Sequence, residues 1–266
     1  MQRFDRASRI PALDALRGVF ALAVAAVHVL VWGNLFAPAQ VVNAAVDGFF
    51  LLSGFVLARS YDGRFVAFVV RRFVRLWPVY ALCLTAGYAL NGMTPIWPEL
   101  IWWPTDRLDH LGLTDKPVWT LYIEAWAAPL LPALVAIART NRVAGLLIAG
   151  VLFLAQLLLA NQTLLYFSLF AGGVAAAQFR LTFPAHVPAW SSALGQIAYS
   201  LYLTNWLVLV AFSRLFGPAG AFFAIPAIFA VAWAVWWAVE RPSIALSRRL
   251  GGIIAASRRP AAAIVP

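Results

Sequence analysis

Charge and cysteine are both scarce in this chain. Of its 266 residues only 11% are charged, and Cys83 is the single cysteine. A lone cysteine excludes a disulfide scaffold and any cysteine-based zinc site. An ordinary soluble domain has about 25% charged residues, so so low a fraction excludes a typical soluble enzyme. Disorder is excluded too, because it needs high charge and few aromatics, and here Phe, Trp and Tyr make up 14%. The sequence has no Walker-type phosphate loop, no Gly-rich dinucleotide turn and no serine-centred nucleophile elbow. No internal repeat or low-complexity tract is present, and no metal-ligand spacing is found around His28, His110 or His186.

What fills the chain is apolar: 63% of residues are hydrophobic and the mean hydropathy is +0.83. A membrane span needs about 20 such residues, within a range of roughly 17–25. Runs of this kind occupy 11–32, 43–60, 66–90, 118–138, 143–160, 164–179, 194–214 and 219–240. They predict an all-α polytopic membrane protein with about eight transmembrane helices. The first run is too long for a signal peptide core and carries Asp14 and Arg17 inside it.

The net charge of +10 reads as membrane topology, and no nucleic-acid partner is expected. Arginine groups at 3–9, 59–75, 139–142, 180 and 241–259 fall on one side of the predicted spans, against only Arg107, Lys116 and Arg214 on the other. Positive residues face the cytoplasm, so both termini are expected there. Residues 1–250 form a single membrane domain by this reading, and 251–266 a basic, flexible cytoplasmic tail. The 91–117 loop lies outside; its Trp97, Trp102 and Trp103 suit either a headgroup-level aromatic belt or a substrate lid.

An ionisable residue inside a span is a functional candidate by default. Asp14, Arg17 and His28 lie on one stripe of the first helix, because a helix turns about 100° per residue. At 1.5 Å per residue, Arg17 and His28 are roughly 16 Å apart along the axis. Asp47 and Glu124 begin inward-running helices, which puts them near the depth of His28 in the outer third. A carboxylate beside a histidine fixes its tautomer and raises its basicity, as a general base requires. Asp47 equally suits a helix start, where the dipole favours a negative charge. Arg17, Arg72 and Arg75 converge toward the cytoplasmic side, where guanidinium forks suit phosphates; plain positive-inside placement accounts for Arg72 and Arg75 as well.

Six segments in order are similar to one family. Ile10 to Gly18 with Arg17, followed by His28, resembles the opening of the membrane acyltransferase-3 family, with its arginine–ten residues–histidine signature. Phe49 to Phe55 with Ser53, Arg71 to Tyr80, Trp119 to Glu124, Leu194 to Leu203, and Glu240-Arg241-Pro242 resemble its later motifs. The resemblance implies an enzyme of the inner membrane that moves an acyl group, usually acetyl, from acyl-CoA to a hydroxyl. The acceptor is a carbohydrate, a cell-surface glycan or a secreted small molecule. It carries His28 over as the catalytic histidine, Arg17, Arg72 and Arg75 as the acyl-CoA site and Glu124 as a motif acid; by the depth argument above, Asp47 or Glu124 is expected to orient His28. Ser53, Trp119, Tyr202 and Asn205 fall to the acceptor pocket. No metal and no tightly bound cofactor is expected; the partners are acyl-CoA, the glycan acceptor and the bilayer. The chain departs from the family in having room for about eight helices rather than about ten. It has Thr120 for the usual serine, and Asn205 where a histidine is frequent. Two rival readings stay open: a transporter or flippase of a lipid-linked sugar, and an inactive acyltransferase-like scaffold.

Overall fold

The computed structural model describes residues 10–92 and 116–257, and these are helical with short connections and no strand. The helices are α1 (Pro11–Trp32), α2 (Ala39–Ser60), α3 (Phe65–Leu90), α4 (Trp119–Thr140), α5 (Arg142–Leu159), α6 (Gln162–Ala176), α7 (Ala189–Phe216), α8 (Gly220–Val235) and α9 (Arg241–Ser257). A 3₁₀ turn at Gly217–Ala219 joins α7 to α8, and one π turn, Trp236–Glu240, joins α8 to α9. Most of the 91–117 loop, including its three tryptophans, lies outside the described residues.

Eight spans are expected from hydropathy. Among the described residues, six helices are long and apolar enough to cross a membrane. The last of these is the continuous stretch Ala189–Ile254, and Gln162–Ala176 is shorter. Helix α9 runs on to Ser257, so the first residues of the anticipated tail are helical.

The starts and stops follow local chemistry. Pro11 opens α1, where its missing N–H costs nothing. Asn141 caps α5 by accepting from the Val143 and Ala144 amides at 2.9 and 3.2 Å, and Asn161 caps α6 through Thr163 at 3.0 Å. Gly217, at φ +64, ends α7 in a conformation that favours glycine.

Paired positions reveal helix direction. His28 meets Asn205 and Gly18 meets Gly195, at the same offset of 177 residues. Helices α1 and α7 therefore run parallel and in register. Tyr199 donates to the Leu76 carbonyl at 2.9 Å and Arg214 to Asn91, both at an offset of 123, so α3 is parallel to α7 as well. Phe50 packs on Tyr166 and Gly54 on Phe170, which makes α2 and α6 parallel.

Small residues permit the closest crossings. A Cβ on Gly18 would lie 2.7 Å from the Gly195 amide nitrogen, and one on Gly195 would overlap the Asp14 carbonyl. Gly54 and Gly173 form the same kind of contact between α2 and α6. In lipid the hydrophobic effect does not drive helices together, so backbone approach of this kind is what gains dispersion energy. Helix α5 lies at the periphery: Val143, Leu147, Val151, Leu154 and Leu158 form one exposed apolar face, as a lipid-facing surface requires.

Candidate active site

The α1–α7 pair carries the first half of the site. His28 Nδ1 lies 2.7 Å from Asn205 Oδ1. Asn205 is fully buried, and its amide nitrogen donates to the Leu201 and Tyr202 carbonyls at 2.9 and 2.7 Å. These two carbonyls fix the amide orientation, since only the NH₂ end can donate to them. Oδ1 is then the acceptor that faces the imidazole. The proton of neutral His28 must sit on Nδ1, and Nε2 carries the basic lone pair. The Nδ1 partner is thus an amide rather than Asp47 or Glu124, and the imidazole is oriented by a neutral group.

Aromatic rings wall this imidazole. Trp206 meets His28 edge to face at 5.1 Å, and Trp32 meets Trp206 at 5.3 Å. Trp32 Nε1 is buried with no hydrogen-bond partner, an uncommon state for an indole N–H. Trp32 lies four residues beyond His28, on the same face of α1. Toward the arginine level, Tyr202 packs on Phe49 at 5.4 Å and Phe49 on Phe20 at 5.5 Å.

The second half is a polar core at the depth of Arg17. Arg72 forms an ion pair with Glu124, and Ser53 Oγ donates to the same carboxylate at 3.4 Å. Arg17 is surrounded by the charges of Arg75, Asp14, Glu124 and Arg72. Buried Glu240 accepts from Ser200 Oγ at 2.6 Å and lies within the electrostatic reach of Arg75 and Arg17. The Nε atoms of Arg72 and Arg75 are buried and lack a hydrogen-bond partner. A buried guanidinium with unmet donors is an anion site in chemical terms, because each unmade bond leaves a desolvation penalty that an incoming phosphate or carboxylate relieves.

The sequence-derived residues therefore fall into two groups and a remainder. Arg17, Arg72, Arg75, Glu124 and Ser53 share the polar core. His28 and Asn205 are bonded to each other, with Tyr202 one turn below. Trp119 packs on Tyr166 at 5.1 Å, and Asp47 acts electrostatically on that same tyrosine, so these two belong to the α2–α4–α6 side. The sequence reading passed over Trp32 and Trp206, and it named Ser200 and Glu240 only as members of two separate family segments. Glu240 was visible as the first residue of its family segment, but nothing local announced that Ser200 would meet it.

Residues 10–184 match the family described as an acyltransferase domain. Together with helices of spanning length, that match defines a multi-pass membrane acyltransferase. The chain belongs to the acyltransferase-3 family. No curated protein and no solved structure matches it. The matched stretch ends before α7, the helix that brings Asn205 to His28.

Proposed function

We propose that the protein transfers an acyl group, acetyl by preference, from cytoplasmic acyl-CoA to a hydroxyl of a carbohydrate or cell-surface glycan, in the inner membrane. The reading rests above all on the locked His28–Asn205 pair. It leaves Nε2 as the basic nitrogen in an aromatic setting, as a general base for a hydroxyl needs. His28 Nε2 removes the acceptor proton as its oxygen attacks the thioester carbon. The C–S bond breaks, and the departing thiolate takes that proton back from the imidazolium. Throughout, Nδ1–H keeps its bond to Asn205. The buried Trp32 N–H is the donor available to the acyl oxygen as charge develops there.

The polar core then holds the donor's phosphates. Arg72 is already paired with Glu124, so Arg17 and Arg75 are the principal anion contacts and Glu124 positions Arg72. The basic end of the bundle faces the cytoplasm, with both termini, as the positive-inside rule requires. An extended pantetheine arm spans roughly the 16 Å from Arg17 to His28 given by the helical rise.

The test is CoA titration and single-turnover transfer in detergent. His28→Ala should still bind CoA while its chemical step falls by about 10²–10⁴-fold. Arg17→Ala should bind CoA weakly and regain part of its rate at high donor concentration. Loss of CoA binding in His28→Ala, with binding intact in Arg17→Ala, would overturn this division.

A further inference from the structure

At the basic end of the bundle is an open, solvent-facing hollow of about 550 Å³. Four arginines from four segments line it: Arg59 in the last turn of α2, Arg139 in the last turn of α4, Arg142 at the start of α5, and Arg180 just past α6. Gln178 and Thr182 add neutral polar groups, and none of the lining residues is acidic. None of the four arginines forms an ion pair with a described carboxylate. Topology rules ask for arginines beyond the ends of spans, but do not ask that four converge on one hollow.

Their side chains are steadied by groups that leave the charge intact. The Arg59 guanidinium sits 5.7 Å from the Phe55 ring centre and that of Arg142 5.6 Å from Phe179. Arg139 Nη2 donates to the Tyr61 carbonyl at 3.2 Å. All four arginines are exposed, so water and salt moderate their mutual repulsion; what the hollow offers is four guanidinium groups turned to one open space with no carboxylate among them. The guanidinium fork matches phosphate oxygens in geometry as well as sign.

We infer that this cavity is a second anion site, separate from the Arg17–Arg72–Arg75 core, that takes a phosphate group through Arg59, Arg139, Arg142 and Arg180. A soluble nucleotide phosphate and an anionic phospholipid headgroup share this chemistry. Neither needs an acyl group, so the inference stands apart from acyl transfer.

Two probes distinguish the sources on the full chain. Adenosine 3′,5′-bisphosphate is titrated against protein in detergent, and retained phosphatidylglycerol is counted by native mass spectrometry after release from nanodiscs. Each is measured for the parent, for Arg142→Gln with Arg180→Gln, and for Arg64→Gln with Arg249→Gln, which removes equal charge elsewhere. The cavity variant spares Arg139 and its carbonyl contact. Its expected effect is a loss of about tenfold or more in affinity, since a bond to a charged group is removed at each position, with the control unchanged. Nucleotide binding lost only in the cavity variant supports the site with a soluble source. Lipid retention lost only there supports it with a membrane source. If neither probe binds the parent, or both double variants lose binding equally, the site does not exist. Should the glutamine variant fail to fold, Arg142→Lys with Arg180→Lys keeps the charge but not the fork; unchanged affinity in that variant would overturn recognition by the guanidinium forks.

Discussion

At the scale of single residues, the decisive contact is a neutral one. A carboxylate beside His28 would stabilise the imidazolium strongly and pull the proton balance toward it; an amide orients the ring with a smaller electrostatic pull. Asn205→Leu removes the acceptor at nearly constant volume. The expected result is a fall in kcat of about tenfold or more, with the KM for acyl-CoA little changed, because a misplaced base lowers the chemical step and not donor binding. Asn205→His should recover part of the rate, since a ring nitrogen can accept from Nδ1–H. Steady-state kinetics on both variants check this; a kcat unchanged by leucine would show that Nδ1 needs no partner.

At the scale of helices, glycine placement separates structural from idle positions. Gly195→Ala forces a methyl group onto the Asp14 backbone, and overpacking of this kind costs about 1–3 kcal/mol. Gly150 has nothing within 4 Å of its would-be Cβ, so Gly150→Ala should be neutral or stabilising by up to about 1 kcal/mol. Thermal melting in detergent, read for both, tests the contrast.

The same scale shows what hydropathy could and could not reveal. The limits of α1 are those of its apolar run, because Pro11 and the turn at Gly33 coincide with the change in polarity. Helix α7 starts five residues before its apolar run, at Ala189 after Pro188: Trp190, Ser191 and Ser192 are too polar to mark a span yet continue the helix. Helix α6 stops at Ala176, short of 179, and the chain from there to Pro188 is irregular, with Pro184 within it. Arg17 and His28 were legible as a stripe because one helix carries both. Asn205 was visible only as a departure from the family, and its bond to His28 depends on a tertiary register that no local pattern encodes. Counting residues from the helix start put Glu124 near the depth of His28 and Arg72 on the cytoplasmic side; their ion pair corrects this, because Glu124 lies with Arg72 and Arg17 in the polar core.

For the whole molecule, orientation is the property most open to test. Cys83 is buried, so a cysteine introduced at position 109 is the reporter. A membrane-impermeant thiol reagent should label it from the outer side only; labelling from the cytoplasm would invert the bundle and put His28 at the opposite face.

The contact of α1 with α7 also makes the protein divisible. The α6–α7 connection is irregular and mostly exposed, and the segments on either side of it meet again through Gly18 and Gly195 and through His28 and Asn205. A gene opened between Ala185 and His186 would encode two polypeptides, one bearing the imidazole and the other its amide. Expressed together in one membrane they should co-purify and regain turnover, because preformed helices associate by shape and do not require a continuous chain. The amino-terminal piece alone should be inert despite carrying all of the matched family stretch. Placing leucine at position 195 of the second piece should keep the two apart. On the proposed mechanism, catalysis is then a property of assembly between two halves of a chain, and a severed copy supplied in trans should repair it.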